Sequence, residues 1–321
     1  MEENCGLIVF EAAMNTRYKE LARIHGFKVF TVNLDNNLSP RLIDNIIKRI
    51  KSKEDLKQRL LVMSKFIRDN NFNVVYLSNA EGYVSMNLLY PLKKAFPNIS
   101  FIALQHGIFP LRHSYIREAL RKTVNRAAYF FTGVFIFGEG FGGIKLDKYY
   151  VYSDRERDFL LRKKGWRSEA VIADIRFIKA ELYEMFLNST SRQDEGTVLL
   201  LLQGLYRAGL CTEKEEESLI QGTIDYLSAN FNKVLIKEHP SCGNRLKNMN
   251  MPKNTEEVET MLEGFSRSKS AYSFFSTSLI DAKIFEIKTY GIYSNWINVD
   301  PELYENFDVK VQFEDTICPK S

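Results

Sequence analysis

The sequence has few of the residues that build metal centres and disulfide networks. Its 321 residues include four cysteines, and no two of them form a CxxC pair. This scatter argues against a disulfide framework and a cysteine-bound zinc ion, and it favours a reducing, cytoplasmic environment. No Asp-x-Asp motif follows a predicted strand. We therefore expect neither an obligatory metal ion nor a resident cofactor.

Long apolar runs are absent as well. The longest, AAYFFTGVFIF at 127–137, falls far short of the roughly 20 residues that span a bilayer, and a buried strand is its commonest explanation. The opening residues MEENCGLIVFEAA do not have the pattern of a signal peptide, so none is expected. The net charge of +4 is too small to indicate nucleic-acid binding, but it fits an anionic substrate or a membrane-adjacent face.

What the sequence does contain is an alternation of short apolar, β-rich runs with helical patterns, which is typical of parallel βαβ units. The polar, turn-rich stretch STSRQDEG interrupts this alternation, which then starts again. The predicted fold is α/β, with two Rossmann-like domains that face each other across a cleft. We place the first domain at 1–178, a linker at 179–196, the second domain at 197–300 and a tail at 301–321. A return of the tail to the first domain is left open.

Polar residues follow the predicted strands of the second domain, where open α/β sheets bind ligands. His239 precedes a proline, which holds it in an extended conformation. Three hydroxyl residues follow SAYSFF directly before a predicted helix, whose first N–H groups suit a phosphate. We expect the histidine and the hydroxyls to follow neighbouring strands and to reach one phosphate. Helix capping and a structural histidine are the alternatives. The candidate donor-binding residues are Gln203, Gly204, His239, Pro240, Ser276, Thr277 and Ser278.

In the first domain, Glu81 and His106 follow the predicted strands NVVYLS and ISFIAL, which we expect to be adjacent. Either side chain could act as a general base. For Glu81 the alternative is a favourable position in the first turn of a helix. The basic segment at 112–126 suits an anionic glycan or a lipid headgroup, with a solvated helix face as the alternative. The candidate acceptor-binding residues are Gln105, Arg112 and Arg117.

These motifs resemble those of GT-B glycosyltransferases that use cytidine-nucleotide donors, such as bacterial sialyltransferases and Kdo transferases. Those enzymes carry an HP motif and a paired-hydroxyl motif, similar here to His239-Pro240 and Thr277-Ser278. The resemblance implies that these residues contact the phosphate of a CMP-sugar. Sialyltransferases also carry a D/E-D/E-G motif that supplies the base, of which only Glu81 and its glycine are present.

The segment LQHGIFP at 104–110 is similar to the histidine-glycine motif of CDP-glycerol-dependent teichoic acid polymerases, which implies that His106 is the base. Together the resemblances imply a metal-independent glycosyltransferase of bacterial surface polysaccharide synthesis that moves sialic acid, Kdo or a related acidic sugar. The expected partners are a nucleotide-sugar donor and a glycan or lipid-linked glycan acceptor, not nucleic acid. A peripheral contact with the inner face of the membrane is left open. Alternatives are a CDP-glycerol- or CDP-ribitol-dependent polyol-phosphate transferase, a non-catalytic GT-B binding module and a sugar-nucleotide epimerase.

Overall fold

The protein was analysed as a computed structural model that describes residues 4–10, 15–32, 42–107, 109, 111, 115–188, 193–239, 242 and 245–318. The chain divides into two compact units. The first unit comprises Met1–His106 and Leu111–Glu181, and the second comprises Gly107–Pro110 and Leu182–Ser321. Each unit contains its own six-stranded sheet.

The sheet of the first unit has the strand order β2-β1-β3-β4-β5-β6, and every neighbouring pair is parallel. Its strands are β1 (Cys5–Phe10), β2 (Lys28–Val32), β3 (Val74–Leu77), β4 (Ser100–Leu104), β5 (Lys148–Val151) and β6 (Val171–Ala173). All four residues of β3 are buried, as expected for a parallel strand covered on both faces. The order reverses between β1 and β3, and ligands of such sheets bind at this kind of reversal.

Helices connect these strands, and a last short helix follows β6. They are α1 (Asn15–His25), α2 (Leu42–Lys51), α3 (Lys53–Asn70), α4 (Gly82–Ala95), α5 (Tyr115–Thr132), α6 (Asp154–Lys164) and α7 (Ile175–Ile178). Helix α6 ends at Gly165, whose φ of 62° is accessible to glycine at little steric cost. Within the described ranges, no helix combines the length and the apolar character needed to cross a bilayer.

The sheet of the second unit is also entirely parallel, with the order β9-β8-β7-β10-β11-β12. This is the Rossmann order 3-2-1-4-5-6, whose reversal lies between β7 and β10. The strands are β7 (Asp194–Leu201), β8 (Lys233–Lys237), β9 (Thr255–Glu257), β10 (Ser268–Ser273), β11 (Lys288–Tyr293) and β12 (Val309–Gln312). The helices are α9 (Glu213–Asn230), α10 (Met261–Arg267) and α11 (Ser278–Ile284), and α8 (Ala180–Asn188) spans the division between the units.

Local sequence explains where α9 begins. Thr212 and Glu215 form a capping box, in which each side chain binds the backbone N–H of the other residue. The apolar face of α9 packs on the sheet within a core that includes Leu219, Ile224 and Leu227.

The division between the two units falls between Glu181 and Leu182, within the segment 179–196 that we predicted as a linker, and helix α8 (Ala180–Asn188) occupies part of that segment. Two other points are decided by the structure. The tail does not return to the first unit, because β12 pairs with β11 and Phe313 packs in the core of the second unit. The run at 127–137 is not a strand, since its first six residues complete helix α5.

Candidate functional site

Glu81 and His106 lie together at the carboxyl edge of the first sheet. Strands β3 and β4 are hydrogen-bonded neighbours, as predicted. Glu81 follows β3 and His106 follows β4, so the two side chains leave the sheet side by side. Nδ1 of His106 lies 3.4 Å from Oε2 of Glu81. The sheet therefore forms a carboxylate–imidazole pair from residues 25 positions apart in the sequence.

The turn before α4 sets the direction of the Glu81 side chain. The Asn79 side chain accepts a hydrogen bond from the backbone N–H of Glu81 at 2.6 Å. Gly82 follows with a φ of 86°, a left-handed conformation that favours glycine. Glu81 occupies the position before the helix but makes no side-chain cap hydrogen bond. Glu81 lies before the first turn of α4, which contains no acidic residue, and its carboxylate is directed to His106 and to a tyrosine.

That tyrosine is Tyr149 on β5, which the sequence did not indicate. Its hydroxyl donates a short hydrogen bond to Oε1 of Glu81. Burial, and then the nearby charge of Glu81, raise the pKa of Tyr149 well above its usual value. The phenol therefore stays protonated and serves as a donor. Since Ala80 N–H also binds Oε2 at 3.2 Å, the carboxylate is held from both sides.

The three candidate acceptor residues are placed differently. Gln105 is fully buried, and its Oε1 accepts a hydrogen bond from the backbone N–H of Tyr152 at 2.9 Å. This bond extends the pairing of β4 and β5 beyond their ends, which favours a structural role for Gln105. Arg112 lies outside the described residues, and so does the side chain of Arg117. Binding of an acceptor by these residues stays a prediction.

Gln203 makes a similar side-chain contact in the second unit. It follows β7 at the reversal of strand order, and its Oε1 accepts from the backbone N–H of Phe275, beyond β10, at 3.1 Å. Gly204, the next residue, is buried and begins the turn that leads away from the sheet. The Gln203 side chain thus joins the two strand ends between which an α/β sheet of this order binds its ligand.

The three hydroxyl residues divide into two kinds. Ser276 is buried, and its Oγ accepts from the backbone N–H of Ser278 at 3.1 Å, so capping accounts for this side chain. Thr277 and Ser278 are half-buried, and their hydroxyls make no hydrogen bond to another described side chain or backbone group. Helix α11 has seven residues, fewer than the sequence pattern indicated. Thr277 and Ser278 therefore have the capacity to bind a ligand.

His239 follows β8 and is exposed. The expectation that it follows a neighbour of the strand before the hydroxyls is wrong, because β7 lies between β8 and β10. Parallel strands are about 4.8 Å apart, so the two strand ends are separated by about twice that distance. After β8 the chain forms β9, a polar strand of three residues that the sequence did not indicate. It then crosses to the other side of β7, where it forms β10. Pro240 lies outside the described residues.

Arg245, close to His239 in sequence, is bound to acidic residues of α9. Its guanidinium lies 2.6 Å from Glu213 and 3.1 Å from the buried Glu216. Arg245 is therefore engaged by carboxylates, and His239, Thr277 and Ser278 stay the candidates for a phosphate. The described residues contain no group of His, Cys, Asp or Glu that could hold a metal ion. A metal-independent reaction stays a prediction.

No protein-family model matches the sequence, and no curated protein matches it. Solved structures do match. CalG4, the calicheamicin glycosyltransferase, is 8% identical with a TM-score of 0.57, covering 99% of this chain and 88% of its own. The glycosyltransferase SnogD from Streptomyces nogalater is 11% identical with a TM-score of 0.52, covering 96% and 86%. These similarities confirm the predicted α/β fold with two Rossmann-like domains, as in GT-B proteins.

Proposed function

We propose that this chain is a nucleotide-sugar-dependent glycosyltransferase in which His106 is the general base and Glu81 orients it. The observation that carries the proposal is the Glu81–His106 pair at the carboxyl edge of the first sheet. CalG4 and SnogD, two glycosyltransferases of the same fold, support it. A carboxylate beside Nδ1 favours the tautomer in which Nε2 is the basic nitrogen.

The proposed transfer requires a base for the acceptor hydroxyl and hydrogen-bond donors for the leaving nucleotide. His106 takes the proton of the acceptor hydroxyl while the hydroxyl oxygen forms a bond to the anomeric carbon of the donor sugar. The bond from that carbon to the phosphate oxygen breaks, and the nucleotide leaves with the electron pair. Donors aimed at the developing negative charge lower the barrier. His239, Thr277 and Ser278 supply these donors in the proposed mechanism.

The proposed donor is a CMP-sugar, with sialic acid, Kdo or a related acidic sugar as the transferred group. The HP motif and the paired hydroxyls support this finer assignment. The proposed acceptor is a glycan or lipid-linked glycan of a bacterial surface polysaccharide, and the basic residues of α5 support an anionic acceptor.

Calorimetric titration of the full chain with CMP, CDP, UDP and GDP tests the donor. We expect CMP or CDP to bind most tightly, and the variants His239→Ala and Thr277→Val/Ser278→Ala to weaken binding about 10- to 100-fold by removing hydrogen bonds to a charged phosphate. Ser218→Ala on α9 is the matched control, because its exposed hydroxyl binds the backbone of its own helix. Tighter binding of UDP or GDP would exclude a cytidine donor and leave the transferase proposal standing. If no nucleotide binds, both the cytidine donor and the transferase proposal are contradicted.

A polyol-phosphate transferase that uses CDP-glycerol or CDP-ribitol is the second candidate. The similarity of LQHGIFP to the teichoic acid polymerase motif favours it, because the proposed base, His106, would serve in that reaction too. The mass of the product separates the two activities. Only the second transfers phosphorus to the acceptor.

A further inference from the structure

Helix α5 (Tyr115–Thr132) has an inner face that makes several contacts within the first unit. The side chain of Asn125 is buried and forms hydrogen bonds in both directions with the backbone of Phe137, each at 2.8 Å. Nη1 of Arg121 donates to the carbonyl of Gly138 at 3.2 Å. Tyr129 stacks on Phe135, with ring centroids 4.4 Å apart. These contacts fix the rotation of the helix about its axis.

That rotation leaves large apolar side chains on the outer face. Phe130 and Phe131 are each 82% exposed, and Ile116 and Leu120 are 84% and 64% exposed. These four residues are called the α5 apolar face. Isolated exposed apolar side chains are normal, but a row of four along one helix marks an interaction surface.

An apolar cavity lies beside this helix within the same unit. Its volume is about 420 Å³, within the range of small-molecule sites. Apolar side chains of α4 and of the segment at 139–146 line it: Met86, Leu89, Tyr90, Ile144 and Leu146. Tyr90 connects the cavity to α5, since its ring meets that of Tyr129 edge-on at 6.2 Å between centroids.

The charges around the helix and the cavity are mainly positive. Lys93, Lys94 and Lys145 line the cavity together with the acidic Glu139. Burial lowers the pKa of Lys145 to about 8, which leaves it mostly charged at neutral pH. Asp147 lies 3.3 Å from Lys93.

The helix adds four basic residues of its own and a single acidic one. That acidic residue, Glu118, lies 2.9 Å from both Lys122 and Lys164. Its charge is therefore compensated locally, and the exposed Arg126 adds a positive charge to the surface of the helix.

We propose that the α5 apolar face and the lysine-lined cavity dock this protein on a membrane surface rich in anionic phospholipid. The apolar side chains enter the boundary between headgroups and acyl chains, and the cations meet the lipid phosphates. A second copy of this chain fits the surface less well, because two such faces would bring like charges together. The inference does not depend on the proposed transfer reaction.

Co-sedimentation of the full chain with vesicles tests the proposal. We expect binding to vesicles that contain phosphatidylglycerol, weaker binding to pure phosphatidylcholine, and a loss of binding as salt is raised. Phe130→Ser/Phe131→Ser should weaken binding at least about tenfold by removing two inserted rings. The matched control is Met185→Ser/Leu187→Ser in the second unit, where the exposed fractions are 41% and 64%. The control should bind like the unaltered protein.

Charge-reversal variants test whether the cationic side chains contact the lipid phosphates. Lys94→Glu and Arg126→Glu should each lower binding to phosphatidylglycerol vesicles about tenfold and reduce its salt dependence. Circular dichroism and thermal unfolding verify that each variant is folded. The proposal is overturned if the unaltered protein does not bind phosphatidylglycerol vesicles. It is overturned as well if the control variant, Met185→Ser/Leu187→Ser, loses as much binding as the phenylalanine variant. It is also overturned if the phenylalanine variant only splits a dimer, measured by light scattering, and leaves vesicle binding unchanged.

Discussion

Glu81 and His106 share one edge of a sheet but differ in their surroundings. The Glu81 carboxylate is buried and already accepts hydrogen bonds from Tyr149 and from the backbone of Ala80. The His106 side chain retains twice the exposed fraction, 18% against 9%. A group held on several sides orients its neighbour, whereas a partly exposed imidazole can meet an acceptor hydroxyl. The geometry therefore favours His106 as the base and Glu81 as its support.

The first prediction follows from these two roles. His106→Ala should lower kcat by about 10²- to 10⁴-fold, the usual contribution of a general base. Glu81→Gln keeps an oxygen for the Tyr149 hydroxyl, but it removes the charge and replaces the oxygen that faces Ala80 N–H and His106 with an NH2 donor. We expect a smaller loss in kcat than for His106→Ala and little change in KM. Steady-state kinetics with a saturating donor measure both. If neither variant changes turnover while His239→Ala abolishes nucleotide binding, the assignment of the base is wrong.

At the same scale, the sequence predicted Glu81 and His106 but not Tyr149. An apolar run that is followed by polar residues predicts a strand and identifies the residues at its carboxyl end. Tyr149, however, lies within β5, two strands away from β3. Its approach to Glu81 depends on strand order and register, which one strand's own residues do not specify.

At the scale of the element, helix α5 shows how an apolar run can be misread. We expected a buried strand at 127–137, the longest apolar run of the sequence. In a helix, consecutive residues point about 100° apart, so Tyr129 packs on Phe135 while Phe130 and Phe131 face outwards. The polar residues that anchor the inner face, among them Asn125, lie before the run, where composition alone does not reveal their role.

Glu118 joins α5 to α6, and this contact depends on pH. Burial raises the pKa of Glu118, but hydrogen bonds from Lys164 and Lys122 outweigh burial and lower it from 4.5 to about 2. A carboxyl group whose pKa is lower in the folded state stabilises that state above pH 4.5, and this contribution is lost as the pH falls towards 2.

The second prediction compares Glu118→Gln with the unaltered chain by urea denaturation across this range. At neutral pH the variant should be less stable. The difference should shrink as the pH falls from 4.5 and disappear near 2. A difference that is the same at every pH would show that Glu118 acts through packing and not through its charge.

At the scale of the whole molecule, the number of domains and the parallel sheets were predictable, whereas the strand order was not. Alternating apolar and helical segments indicate βαβ units from local residues. The position of β7 between β8 and β10 arises from a crossover that no local pattern encodes. The same limit applies to the tail, whose strand β12 pairs with β11 although its residues could have joined either sheet edge.

Each unit also carries one of the chain's two tryptophans, Trp166 in the first and Trp296 in the second. In single-tryptophan variants, Trp166→Phe or Trp296→Phe, fluorescence therefore follows the unfolding of one unit at a time. Phe313 on the tail is almost fully buried, and its ring lies 5.8 Å from that of Trp296.

The third prediction uses this pair of reporters on Phe313→Ala. Truncating a buried phenylalanine costs about 3–5 kcal/mol, and this ring packs against α9 so closely that a Cβ on Gly222 would lie 2.9 Å from it. We therefore expect the unfolding midpoint reported by Trp296 to fall strongly, while that reported by Trp166 changes little, because each unit has its own core. Exposed Leu187→Ala is the control and should shift neither midpoint by much. Equal shifts at both tryptophans would show that the two units unfold as one, and a shift at Trp166 alone would contradict the placement of the tail in the second sheet.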